Sequence, residues 1–188
     1  LVRTKLNSIQ RMEVTYGKVP QSEILDTVLH SDIDKIKQTL EGIDHDAFER
    51  AIEILLPAKN IYIVGIRSCA PLASFMGFYL NLIFDNVRLL TTSSSSEIFE
   101  QMIHIGEQDV IVGISFPRYS MRTLKALEFA KNRKAKVITL TDSAHSPMNL
   151  YASCNLIARS DMASIVDSLV APLSVINALV VALSMRKQ

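Results

Sequence analysis

Three short segments put hydroxyl groups and a basic side chain where an apolar run ends. Gly65-Ile66-Arg67-Ser68-Cys69 follows the run Ile61–Val64. Gly65 permits a tight exit from an extended segment. The Ser68 hydroxyl either caps a following helix or faces an anion. Arg67 either adds charge-assisted hydrogen bonds or stands as a solvated surface cation. Ser115-Phe116-Pro117-Arg118-Tyr119-Ser120 follows the run Val110–Ile114 and brackets a loop with two hydroxyls. Ser120 is the expected N-cap of the next helix, and Ser115 sits at the strand tip. Thr91-Thr92-Ser93-Ser94-Ser95-Ser96-Glu97 follows Val87–Leu90. Its Ser94 and Glu97 match a capping box, which accounts for one serine and leaves Ser93 free to line a crevice. This chemistry is anion binding, above all of a phosphate. Thr141-Asp142-Ser143 reads as ordinary loop chemistry, with Asp142 a turn former.

The remaining chemistry-bearing residues form no further site. His30, His45, His104 and His145 are scattered, and none stands at ligand spacing from a cysteine or carboxylate. No metal and no cofactor are expected. Lys131, Arg133, Lys134 and Lys136 gather at an expected helix C-terminus and read as a solvated face that complements the dipole.

The elements that must position these turns follow from periodicity. Ile61–Val64, Val87–Leu90, Val110–Ile114, Val137–Leu140 and Asn155–Ala158 read as buried strands. Amphipathic helices are expected at Pro71–Phe84, Glu97–Ile105 and Ser120–Arg133, with a short helical turn at Ser146–Tyr151. Two helices lead in. Ile24, Leu25, Val28, Leu29, Ile33, Ile36 and Leu40 recur at three- and four-residue steps in the first. Asp44 or Asp46 caps the second, which Pro57 closes. Alternating strands and helices imply right-handed βαβ units. The expected architecture is α/β: a three-layer α/β/α sandwich with a five-stranded, mostly parallel sheet. In the strand order 2-1-3-4-5, strands one and three are neighbours, so Ser68, Ser115 and Ser120 would converge on one crevice.

Composition supports a folded domain and narrows its partners. The 188 residues are 48% hydrophobic and 21% charged, enough for a sizeable core. Twenty Lys and Arg against 19 Asp and Glu leave a formal charge of +1. That balance is unlike a chain built to coat nucleic acid. Two cysteines, Cys69 and Cys154, suit a reduced, cytoplasmic protein. Residues 1–20 read as a linker or arm left from an upstream domain, and residues 21–188 as the domain proper. Ile165–Met185 is apolar enough for a membrane span, but Asp167, Pro172 and Asn177 interrupt it. The expectation is no membrane: the helix packs on its own sheet and on a partner subunit.

From about Ile43 onward the chain resembles the sugar isomerase (SIS) domain, and within it the effector-binding domain of RpiR-type transcriptional regulators. The motifs that carry the resemblance are Ile61-Tyr62-Ile63-Val64-Gly65 with Ser68, and Asp109-Val110-Ile111-Val112-Gly113-Ile114-Ser115 with Ser120. Ala135 to Asp142 and Asp167-Ser168-Leu169-Val170-Ala171-Pro172-Leu173 continue it in order. The resemblance implies a flavodoxin-like SIS fold and a phosphorylated sugar as ligand, its phosphate held by hydroxyls of the first and third turns. The implied ligand-binding set is Gly65, Arg67, Ser68, Ser93, Ser115, Arg118, Tyr119 and Ser120. Two departures stand out. The family often has a second glycine where Arg67 stands, and Ser-Gly where Pro117-Arg118 stands; Pro117 removes a backbone donor.

The resemblance further implies a homodimer or higher homo-oligomer, and contact with DNA only through an upstream helix-turn-helix domain. Ligand binding would shift dimer packing and so DNA binding. The alternative is an aldose–ketose phosphosugar isomerase, which needs a base beside the carbon acid. Glu97, Glu100 and His104 are the residues on offer, without a clear match to that chemistry.

Overall fold

The computed structural model describes residues 7–160 and 168–187. Within them, helices α1 (Ser8–Tyr16), α2 (Ile24–Gly42) and α3 (His45–Leu55) lead into β1 (Ile61–Gly65). There follow α4 (Ala70–Ile83), β2 (Val87–Leu90), α5 (Ser95–Gln101), β3 (Val110–Ile114), α6 (Met121–Asn132), β4 (Lys136–Thr141), β5 (Cys154–Ile157) and α7 (Val170–Lys187). The five strands run in the order β2-β1-β3-β4-β5, and every pairing is parallel. The sheet is therefore wholly rather than mostly parallel.

Side-chain alternation along the strands builds two cores. Ile61 and Ile63 of β1 and Val110, Val112 and Ile114 of β3 pack with α3, α4 and α7. Tyr62 and Val64 of β1 and Ile111 of β3 point to the other face and pack with α5 and α6. Both faces of a parallel sheet are thus covered, which is why its strands read as continuous apolar runs.

Local chemistry sets the helix boundaries. The Asp44 carboxylate accepts from the Ala47 N–H at 3.1 Å and starts α3. Asn7 and Gln10 form a reciprocal capping box that starts α1 inside the stretch expected as linker. Residues 1–6 of that stretch lie outside the described residues. α5 stops at Gln101, four residues short of the expected end. There the Arg133 guanidinium donates to the carbonyls of Ile103 at 2.9 Å and Ile105 at 3.2 Å. Arg133 is thus a tie between α6 and the end of α5, more than part of a solvated face.

α7 is long and apolar enough to cross a membrane by length and composition. In the fold it buries Ala171, Val175, Ile176, Leu179 and Leu183 in the core beside α4. Residues 165–167 of the expected helix lie outside the described residues.

α2 turns polar groups inward and leaves much of its apolar stripe in water. Lys35 and Thr39 are its buried residues, while Leu25, Leu29, Ile33 and Leu40 are 50–68% exposed. Inward polar groups hold it in place. The Thr39 hydroxyl accepts from the Arg159 N–H at 3.0 Å, and the Ser168 hydroxyl donates to the Asp32 carboxylate. α2 packs on α7, outside the layers that flank the sheet.

Candidate functional site

In this strand order the chain leaves β1 toward β2 on one side and leaves β3 toward β4 on the other. The reversal point lies between β1 and β3, where such sheets open a crevice at the carboxyl ends of the strands. Gly65 pairs with Ile114 in register, so the turns after β1 and β3 leave the same edge side by side. α4 and α6 begin at this edge on opposite faces of the sheet, and their free N–H groups and dipoles favour an anion there.

The first turn is tighter than a serine cap would make it. Residues Arg67–Cys69 form one turn of 3-10 helix, and Cys69 is the N-cap of α4 with no side-chain cap bond. Ser68 therefore does not cap α4, contrary to one reading of the sequence. Pro71, in the first turn of α4, has no N–H to satisfy and so lessens the need for a cap. Ser68 and Arg67 are exposed, and neither side chain has a hydrogen-bond or ion-pair partner among the described residues. Gly65 is required by close approach: a Cβ there would lie 2.6 Å from the Cys69 carbonyl oxygen.

The third turn is held by its own hydroxyls. The Ser115 Oγ accepts from the Ser120 N–H at 3.0 Å, and the Ser120 Oγ accepts from the Thr123 N–H at 3.2 Å. Ser120 is the N-cap of α6 as expected. Ser115 is only 3% exposed, so its hydroxyl positions the α6 N-terminus from beneath. Arg118 is exposed, and Tyr119 is half-buried.

Both arginines stand on left-handed backbone, Arg67 at φ 59° and Arg118 at φ 61°. That region costs a residue with a Cβ about 1 kcal/mol relative to glycine. The two positions coincide with the two departures from the family pattern noted in the sequence.

The fourth turn contributes more than its sequence suggested. The Tyr119 phenol donates to Asp142 Oδ1 at 2.5 Å, and the Thr141 hydroxyl donates to the same oxygen at 3.3 Å. Burial first, and then the Asp142 carboxylate, push the Tyr119 pKa up to about 12. No short-range sequence signal marks this pair, since 23 residues separate its members.

The second turn differs from its expected form. Ser94 is the N-cap of α5 but makes no side-chain cap bond, so the Ser94–Glu97 capping box is not formed. Thr92 takes the place of Ser94: its hydroxyl donates to the Glu97 carboxylate and accepts from the Ser94 N–H at 3.1 Å. Ser93 is exposed. A separate apolar cavity of about 260 Å³ lies between α2, α3 and α7, lined by Ile36, Leu40, Phe48 and Val175. None of the turns that follow the strands lines it.

Comparison with known proteins places this arrangement in a family. Residues 54–182 match the SIS domain. An uncharacterized HTH-type transcriptional regulator of Clostridium perfringens is 27% identical over 136 residues, covering 72% of this chain and 48% of its own length. The chain spans about half the length of the curated relatives it matches. Among solved structures, the sugar isomerase domain of an RpiR transcription factor from Sphaerobacter thermophilus superposes with a TM-score of 0.83. It is 28% identical, and the match covers 88% of this chain and 92% of that one. Vibrio vulnificus NanR, complexed with ManNAc-6P, gives a TM-score of 0.76 at 19% identity, over 90% of this chain and 64% of that one. A phosphoheptose isomerase from Francisella tularensis also gives 0.76, at 18% identity, over 89% of this chain and 100% of that one. The last two likenesses concern the fold alone.

Proposed function

This chain belongs to the SIS domain family, and on that footing we propose that it is the phosphosugar-binding effector domain of an RpiR-type transcriptional regulator. One observation carries the reading. The turns after β1 and β3 leave adjacent in-register strands at the sheet's reversal point, with Arg67 and Ser68 exposed and the N-terminus of α6 opening from the second of these turns. The NanR neighbour, complexed with ManNAc-6P, supports the ligand class. The HTH-type relatives, of whose length the match covers about half, support a regulator with a DNA-binding domain elsewhere in the full protein.

The proposal extends to assembly. The outward apolar stripe of α2, with Leu25, Leu29, Ile33 and Leu40 in water, is the surface on which a second copy docks. Ligand closing the turns would shift that docking, and with it the spacing of attached DNA-binding domains, in the cytoplasm. The shift is bounded by the ligand's difference in affinity between the two arrangements.

The test is a thermal-shift and calorimetric panel of hexose, hexosamine and pentose phosphates against the unphosphorylated sugars. A ligand at a hundredfold excess over its Kd adds about 2.7 kcal/mol of stability. A flat response across the phosphates overturns the reading. The second reading, an aldose–ketose isomerase, rests on the exposed Glu97 carboxylate of the second turn. Turnover of an aldose phosphate, lost in Glu97→Gln, would establish it.

A further inference from the structure

We infer that the apolar cavity between α2, α3 and α7 is filled by a second copy, whose α2 lies antiparallel to this one across a two-fold axis beside Ile33. The inference rests on the proposal above that a second copy docks on α2; it adds the orientation and gives the cavity an occupant. Leu25, Leu29, Ile33, Ile36 and Leu40 recur at three- and four-residue steps, so they share one side of α2. The two ends of that side differ in what they meet. Ile36 and Leu40 wall the cavity together with Phe48 of α3 and Val175 of α7. Leu25, Leu29 and Ile33 stand outside it, in water.

An antiparallel partner unites the two ends. An axis beside Ile33 sets the partner's Leu25 against Leu40 and the partner's Leu29 against Ile36, and symmetry repeats both contacts. Each cavity then receives aliphatic side chains that their own chain leaves in water. The two hydroxyls of the lining, Thr39 and Ser174, donate to carbonyls of their own helices, so the cavity offers water little to bind. Charge selects the orientation. Asp26 and Lys37 are exposed and flank the stripe on one side. In the antiparallel pair the partner's Lys37 comes within a turn of Asp26, twice by symmetry, whereas a parallel pair would set like charges together. A stable interface covers roughly 800 Å² on each partner. That is more than five side chains of one helix supply, so the cavity walls must join it.

Site-directed crosslinking tests this, since the native cysteines, Cys69 and Cys154, are both buried. Ile33→Cys, Leu25→Cys and Leu40→Cys are treated with a short bis-maleimide, alone and in mixtures. Ile33→Cys is expected to crosslink to itself. Leu25→Cys and Leu40→Cys are expected to crosslink only when mixed, because the two copies of Leu25 would stand about 20 Å apart along the pair. Ala178→Trp, on the α7 wall of the cavity, fills it from within. It is expected to weaken the dimer about tenfold or more in sedimentation, with an unchanged circular dichroism spectrum. Crosslinking of Leu25→Cys to itself, or wild-type association of Ala178→Trp, would overturn the inference and leave docking on α2 standing. A monomeric wild type, or a dimer that gives none of these crosslinks, would overturn both. The ligand panel decides the phosphosugar reading independently of either result.

Discussion

The phenol of Tyr119 and the carboxylate of Asp142 meet at 2.5 Å and join the turn after β3 to the turn after β4. Removing the phenolic oxygen in Tyr119→Phe should cost about 1 kcal/mol near neutral pH. The tyrosine's pKa rises from 10.0 to about 12 on folding, through burial and then through Asp142. A group whose folded pKa lies above its unfolded value gives its full stabilisation below the unfolded one and loses it as pH climbs toward the folded one. The stability difference between wild type and Tyr119→Phe should therefore shrink as pH rises from 10 to 12. Denaturant titrations of both proteins across that window check this. A constant difference would refute it.

Gly65→Ala should destabilise the domain by about 1–3 kcal/mol. The added methyl would press on a backbone oxygen, Cys69 O at 2.6 Å, and on the Ala73 Cβ at 3.0 Å. Neither is the far end of a flexible side chain. A denaturation midpoint equal to wild type would show that the first turn has slack that its geometry does not suggest.

Thr123→Val should be neutral or stabilising, despite lying in the first turn of the capped helix α6. The Thr123 hydroxyl is fully buried with no hydrogen-bond partner. Valine keeps the shape and removes a desolvated polar group, whose burial costs about 1–3 kcal/mol. A clear fall in Tm would mean that the hydroxyl has a partner, such as an ordered water.

Leu29→Glu should leave the isolated fold intact, because Leu29 is 50% exposed. If the α2 stripe is where two copies meet, the same change should dissociate the dimer. Sedimentation velocity over a concentration series reads this directly. Unchanged assembly would move the dimer surface elsewhere, for instance to Phe78 and Leu82 of α4, which are 62% and 72% exposed.

The layer architecture and strand order were legible because a doubly covered parallel sheet writes itself as apolar runs separated by amphipathic stretches. Individual side-chain roles were less legible. The apolar spacing of α2 marked a stripe correctly, but periodicity does not say whether a stripe faces the chain's own core or another surface. Lys35 and Thr39 took the inward side. The serine caps at positions 68 and 94 failed where Pro71 lessened the need for one and Thr92 displaced the other. The Tyr119–Asp142 pair depends on two turns that only the folded sheet brings together. Arginine, unlike glycine, carries no sequence signal for left-handed backbone, so the conformation of Arg67 and Arg118 was visible only in their φ angles.

α2 rests chiefly on α7 and is held by Thr39 and Asp32, while β1 and β3 are buried throughout. Its amides should therefore exchange with deuterium through a local detachment, whereas those of β1 and β3 wait for global unfolding. The helix leading back toward the start of the chain can thus shift its seat without deforming the strands that carry the crevice.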